Sequence, residues 1–118
     1  MGRLDQPNPE LAGAATVIDV TTTSISAFVT RVGVRPNVIV MDIEGAEIAA
    51  LFGTEDELVR RPAPVIVVEL HPSAWEGTGY GRSDLEALLA RCGLGALPLT
   101  GQTDPLAEYG HVALEAVE

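Results

Sequence analysis

The sequence contains no lysine, and its seven basic residues are all arginine. Against them stand 17 acidic residues, which give a formal net charge of −10 at pH 7. A protein that holds nucleic acid by its phosphates, or an anionic membrane by its surface charge, needs a basic face. Seven arginines among so many carboxylates do not supply one, so we expect neither nucleic acid nor membrane as a partner.

Cysteine and long apolar runs are also scarce. Cys92 is the single cysteine, which excludes an internal disulfide and fits a reducing compartment. Its place on an apolar helical stripe predicts a small core residue. No apolar stretch approaches the roughly 20 residues that span a bilayer, and the first residues lack the apolar segment of a secretory signal. We therefore expect a cytoplasmic protein.

Motifs of several enzyme classes are missing as well. The sequence has no Gly-x-Ser-x-Gly nucleophile elbow, no phosphate loop ending in Gly-Lys-Ser/Thr and no cysteine pair with zinc spacing. These absences disfavour hydrolases, kinases and zinc enzymes.

What is present predicts one α/β domain. The chain has 118 residues, 47% of them apolar, which is enough for a substantial core. Residues 1–15 show no hydrophobic period, and we predict a flexible N-terminal arm there. The pattern predicts strands at 16–20, 38–41, 65–70, 94–99 and 111–117, separated by helices except before the last strand. We expect a mostly parallel sheet flanked by helices, with a C-terminal antiparallel hairpin.

Helix ends are marked by capping residues. The helical face of Ile25, Phe28, Val29 and Val32 is preceded by Thr23 and Ser24 and followed by Gly33. A further helix is predicted after Gly45. Two sequences of the capping-box type, at 54–57 and 83–86, predict the starts of two more helices.

The segment 38–47, VIVMDIEGAE, is the most informative in the chain. It predicts a buried parallel strand that delivers Asp42 and Glu44 to the carboxyl edge of the sheet, where open α/β folds bind ligands. Gly45 permits a tight turn and close approach of another backbone or a ligand. Glu47 falls in the first helical turn, where a cap or a partner of the helix dipole is the favoured interpretation.

Glu69 and His71 end the next strand and, being two residues apart, share one face. Because consecutive parallel strands are usually neighbours, we expect Asp42, Glu69 and His71 to converge in one crevice. Imidazole is a suitable base near neutral pH, and two acids with a histidine are a possible ligand set for a divalent metal. Structural alternatives remain: Glu69 can bond a backbone group or an arginine, and His71 can cap a turn.

Two other features of the chain have less specific interpretations. The loop 72–82 carries Trp75 and Tyr80 and is interpreted either as a lid or as a plug over exposed core. His111, without an acidic neighbour in sequence, is expected to be structural.

Three segments, in order, resemble FkbM-type methyltransferases: VTTTSISAF (20–28), VMDIEGAE (40–47) and VIVVELHP (65–72). The resemblance runs from about residue 17 to residue 96. It implies a class I, S-adenosylmethionine-dependent enzyme with a Rossmann-like sheet, which methylates hydroxyl groups of sugars or secondary metabolites. It places Asp42 and Glu44 beside cofactor and acceptor, and it matches Glu69 and His71 to the family's Glu-x-His strand end.

In that family the glycine-rich cofactor turn precedes the matching region, whereas sixteen residues precede Val17 here. We therefore expect residues 16–118 to form the C-terminal part of a methyltransferase-like domain. Asp42, Glu69 and His71 are the candidate catalytic residues, and Asp42 and Glu44 the candidate cofactor-binding residues.

The absent strand would leave an exposed sheet edge, which could pair with a second copy or a partner segment. Two alternatives stay open. One is a non-catalytic module that dimerises through this edge, and the other is a metal-dependent enzyme using Asp42, Glu69 and His71.

Overall fold

The computed structural model describes residues 16–117, so the predicted arm at 1–15 lies outside the described residues. In chain order the elements are α1 (Ile25–Val32), β1 (Val38–Met41), α2 (Glu47–Phe52), α3 (Glu55–Leu58), β2 (Val65–Leu70), a 3₁₀ helix (Pro72–Ala74), α4 (Arg82–Cys92), β3 (Leu94–Pro98) and β4 (Gly110–Ala116). None of the helices in this part of the chain is long and apolar enough to cross a membrane.

The four strands form one mixed sheet in the order β1-β2-β4-β3. β1 and β2 are parallel, with Val38 opposite Val65, whereas β4 is antiparallel to both of its neighbours. The predicted C-terminal hairpin is confirmed, but the mostly parallel sheet is wrong. The connection from β3 to β4 has no crossover helix, so β4 reverses direction, and it lies between β3 and β2.

The predicted strand at 16–20 is also wrong. These residues form no regular secondary structure and pair with no described strand, and Val17, Ile18 and Val20 are 72–75% exposed. A β-branched run can form a strand only where a neighbour accepts its backbone hydrogen bonds, and the described sheet ends at β1 on this side.

The core lies between one face of the sheet and the helices. Alternate residues of β2, Ile66, Val68 and Leu70, are fully buried and belong to the same cluster as Leu85 and Leu88 of α4. Cys92 is buried in this cluster, as predicted, and burial raises the pKa of its thiol.

On the opposite face of β1, Val38 and Val40 are 58% and 76% exposed. The prediction of a buried strand at β1 is therefore wrong for this face. In the described part of the chain β1 is an edge strand, and the packed helices cover only the face that carries Met41.

Helix boundaries follow the predicted caps in one case and depart from them in two. Ser24 accepts the Ala27 N–H at 3.0 Å, and Gly33 ends α1 with a φ of 74°. The Thr54 hydroxyl instead donates to the Ala50 carbonyl at 2.8 Å, because α2 runs almost directly into α3. The cap of α4 is Gly81, two residues before the predicted cap Ser83, and Asp84 accepts the Gly81 N–H at 2.8 Å.

Candidate functional site

The candidate site lies where β1 and β2 end and β4 begins. Asp42 follows β1 directly, Glu69 is the penultimate residue of β2, and His71 follows that strand. One potential ligand atom of each lies within 4.8 Å of the other two. The convergence expected from neighbouring parallel strands is present, while the catalytic roles of the three residues remain predictions.

His71 is held between two carboxylates. Its Nε2 atom lies 3.0 Å from Glu69 Oε1, and its Nδ1 atom lies 3.5 Å from Glu47 Oε1. Nδ1 is buried and has no hydrogen-bond partner. Since both ring nitrogens face acids, the imidazole is poorly placed to take a proton from a substrate, whereas the neighbouring Asp42 is exposed.

Glu47 has a larger structural role than the predicted helix cap. The side chain is fully buried at the start of α2. One carboxylate oxygen accepts the Gly45 N–H, and the other accepts the His71 backbone N–H at 2.7 Å and the Trp75 indole N–H at 3.4 Å. A single carboxylate therefore joins the turn after β1, the end of β2 and the 3₁₀ helix.

Sequence reasoning missed two members of the site. β4 pairs with β2 so that His111 lies opposite Glu69, and His111 Nε2 is 3.1 Å from Glu69 Oε2. The Tyr109 hydroxyl donates to Glu69 Oε1 at 2.6 Å. His111 has no acidic neighbour in sequence, but the fold gives it one, because Glu69 comes from a strand more than 40 residues earlier. A sequence-based prediction could have found these two residues only by predicting that β4 pairs with β2.

The site is strongly acidic. The hydrogen bond from Tyr109, followed by the nearby imidazoles of His71 and His111, lowers the pKa of Glu69. In return, the bond to Glu69 and the charges of Asp42 and Glu44 raise the pKa of Tyr109. Three carboxylates thus act on one phenol.

Glu44 itself has a positive φ of 47°, which is uncommon for a residue other than glycine. It shares this turn with Gly45.

Tyr109 is expected to ionise at a higher pH than an ordinary tyrosine. Because the folded-state pKa is raised, the bond to Glu69 is present in full below the ordinary value of 10.0 and is lost as the pH rises through the raised value. Ultraviolet titration of the wild type and of Tyr109→Phe isolates this phenol from Tyr80. In Glu69→Gln the Tyr109 midpoint should fall, and an unchanged midpoint would contradict the bond.

The loop after β2 is closer to a plug than to a lid. Trp75 is buried in the core cluster, and Tyr80 stacks on Phe52 with ring centroids 5.3 Å apart. The loop lines an open groove of about 570 Å³ whose far wall includes Leu106 and Ala107. Pro72, which follows His71 in the chain, also lines the groove, whereas Asp42, Glu69 and His71 do not.

The turn after β1 contains the residues that would contact S-adenosylmethionine, and its geometry shows which groups of that cofactor they would fit. Asp42 and Glu44 are exposed carboxylates and suit the hydroxyl and ammonium groups of that cofactor. Gly45 does not cradle the cofactor's carboxylate, because its N–H is taken by Glu47 and its open side is filled by Ala74, 3.0 Å from where a Cβ would stand. The fit is therefore limited to the cofactor's hydroxyl and ammonium groups.

Comparison with known protein families defines the class of this chain as a methyltransferase. A family model described as the methyltransferase FkbM domain matches residues 4–94, well over half of the sequence. The chain therefore belongs to the FkbM methyltransferase family. No match was found among curated proteins or among solved structures.

Proposed function

We propose that this chain takes part in S-adenosylmethionine-dependent O-methylation of a hydroxyl group on a sugar or secondary metabolite. The proposal is supported by family membership and, above all, by the convergence of Asp42, Glu69 and His71 within 4.8 Å at an accessible sheet edge. Open α/β sheets bind their ligands at this edge.

Asp42 is the proposed general base. When bound, S-adenosylmethionine supplies an electrophilic methyl group. The acceptor hydroxyl must lie in line with that group and lose its proton as the new bond forms. Asp42 is the exposed acid at the edge, whereas both nitrogens of His71 already face carboxylates.

Glu69 and His71 are proposed to orient the acceptor rather than to take its proton. Glu69 is held by Tyr109, and the backbone of His71 is held by the buried Glu47. The groove beside them, which includes the partly exposed ring of Tyr80, has room for the body of a sugar-sized acceptor. Aromatic rings suit the apolar faces of such molecules.

The cofactor's carboxylate is proposed to bind a glycine-rich segment outside residues 16–117. The turn at Gly45 cannot take that role, because Glu47 and Ala74 already occupy it. Calorimetric titration of S-adenosylmethionine should therefore show weak binding to the chain alone. Binding should become micromolar when the chain is joined to the glycine-rich strand and turn of a family member.

Asp42→Asn in the joined protein is expected to lower kcat about 100-fold, because a general base contributes at least that much. The measurement is formation of S-adenosylhomocysteine with a panel of hydroxyl acceptors. The matched control is Asp56→Asn, an exposed acid on α3, which should leave kcat unchanged.

Failure of the joined protein to bind the cofactor would contradict the proposal. A dimer detected by light scattering, together with no cofactor binding, would instead favour a non-catalytic module that pairs through β1. The exposed Val38 and Val40 are the observation behind that alternative.

A further inference from the structure

We propose that Asp42, Glu69 and His71 form a binding site for a divalent transition-metal ion, Mn²⁺ or Zn²⁺. Two ligand atoms bound to one such ion at about 2.2 Å lie at most about 4.4 Å apart. The three atoms offered here lie within 4.8 Å of one another, so small side-chain rotations would close the set. A mixture of carboxylate and imidazole donors suits these two ions.

Charge at the site favours a cation. Four carboxylates surround this edge, those of Asp42, Glu44, Glu47 and Glu69. The ion-paired arginines of the described chain contact other carboxylates. Those pairs are Arg60 with Glu57, Arg82 with Glu86 and Asp104, and Arg91 with Glu55. These arginines therefore do not neutralise the carboxylates of the site. A bound dication would reduce the repulsion among those carboxylates.

The surroundings of His71 provide a second, independent observation. A metal-bound histidine usually donates its other ring N–H to a carboxylate, which fixes the ring and the tautomer. Nδ1 of His71 is buried, has no hydrogen-bond partner and lies 3.5 Å from the fully buried carboxylate of Glu47. Glu47 is thus placed to accept that proton once Nε2 binds a metal.

When the metal binds, it replaces the proton on Nε2 of His71. In the neutral ring without metal, Nε2 carries the proton and lies 3.0 Å from Glu69 Oε1. The ion takes the place of that proton between the two atoms, and the ring proton moves to Nδ1, facing Glu47. No net proton release is required of a neutral imidazole, and the Glu69 carboxylate is left as a metal ligand.

The test is calorimetric and thermal titration of the tag-free chain with Mn²⁺ and with Zn²⁺ at neutral pH. We expect saturable binding of one ion per chain and a Tm increase of about 10 °C at about one hundred times Kd. Asp42→Asn and His71→Ala should each weaken binding at least tenfold, whereas Asp56→Asn should not. Because Asp42 is exposed, its variant should fold normally even if His71→Ala does not.

Nitrogen NMR of the histidines adds a readout specific to this geometry. With Zn²⁺ bound, the His71 signal should change from the Nε2–H to the Nδ1–H tautomer. Absence of saturable binding by either ion, or equal affinity in Asp42→Asn and the wild type, would overturn the inference. The ion would occupy the same carboxylate that the proposed methyl transfer uses as its base, so the two are alternative uses of one site. Failure of cofactor binding in the joined protein would therefore bear only on the proposed function.

Discussion

Glu47→Ala is expected to lower the free energy of unfolding by about 3 kcal/mol or more. The fully buried carboxylate accepts N–H groups from Gly45, His71 and Trp75. Each donor left buried without a partner costs about 1–3 kcal/mol, partly offset because the charge no longer has to be desolvated. The loss is large against the 5–15 kcal/mol total stability of typical domains.

Urea unfolding followed by circular dichroism measures this loss. Glu47→Gln, which keeps one acceptor oxygen, should lie between the wild type and Glu47→Ala. Glu76→Ala removes an exposed glutamate and should change stability by less than about 0.5 kcal/mol. A Glu47→Ala midpoint equal to that of Glu76→Ala would show that the three bonds contribute nothing to stability.

Gly45→Ala is expected to destabilise the fold by about 2–4 kcal/mol through two separate effects. Gly45 has a φ of 108°, which L residues rarely adopt. An added Cβ would also stand 3.0 Å from Ala74 Cβ and 3.2 Å from Ala74 O, so the 3₁₀ helix would have to shift. That shift would move Trp75 and, through Glu47, disturb His71.

Gly79→Ala separates the two effects. Gly79 has a comparable φ of 87°, but an added Cβ there meets nothing within 4 Å. Its cost should therefore be the conformational part alone, about 1 kcal/mol. Equal losses for the two variants in the same urea experiment would show that the contact with Ala74 does not limit this turn.

Local features of the fold were predictable because their causes are local. The spacing of Ile25 and Val29, with Thr23 or Ser24 as the cap and Gly33 as the end, predicted α1 to within one residue, since capping and periodicity act within one or two turns. The β-branched runs at 38–41 and 65–70 predicted β1 and β2. The failure at 16–20 shows the limit of this reasoning, because a similar run has no described partner strand.

The candidate site was predictable in part. Consecutive strands joined by a helical connection are usually parallel neighbours, as β1 and β2 are, so placing Asp42 beside Glu69 and His71 required no long-range knowledge. Glu47 was predicted only as a cap, because nothing in its spacing shows that its carboxylate would reach the end of β2. Tyr109 and His111 were missed altogether, because their partner Glu69 lies 40 residues away.

The sequence by itself determined which chemical groups stand at the strand ends, the two ends of α1 and the family of the chain. Only the tertiary structure decided that β4 lies between β2 and β3, and hence that Glu69 is shared between two imidazoles and a phenol. The reason is that pairing of distant strands depends on which loops close and which faces become buried. Those are properties of the whole chain and leave no signature in the spacing of neighbouring residues.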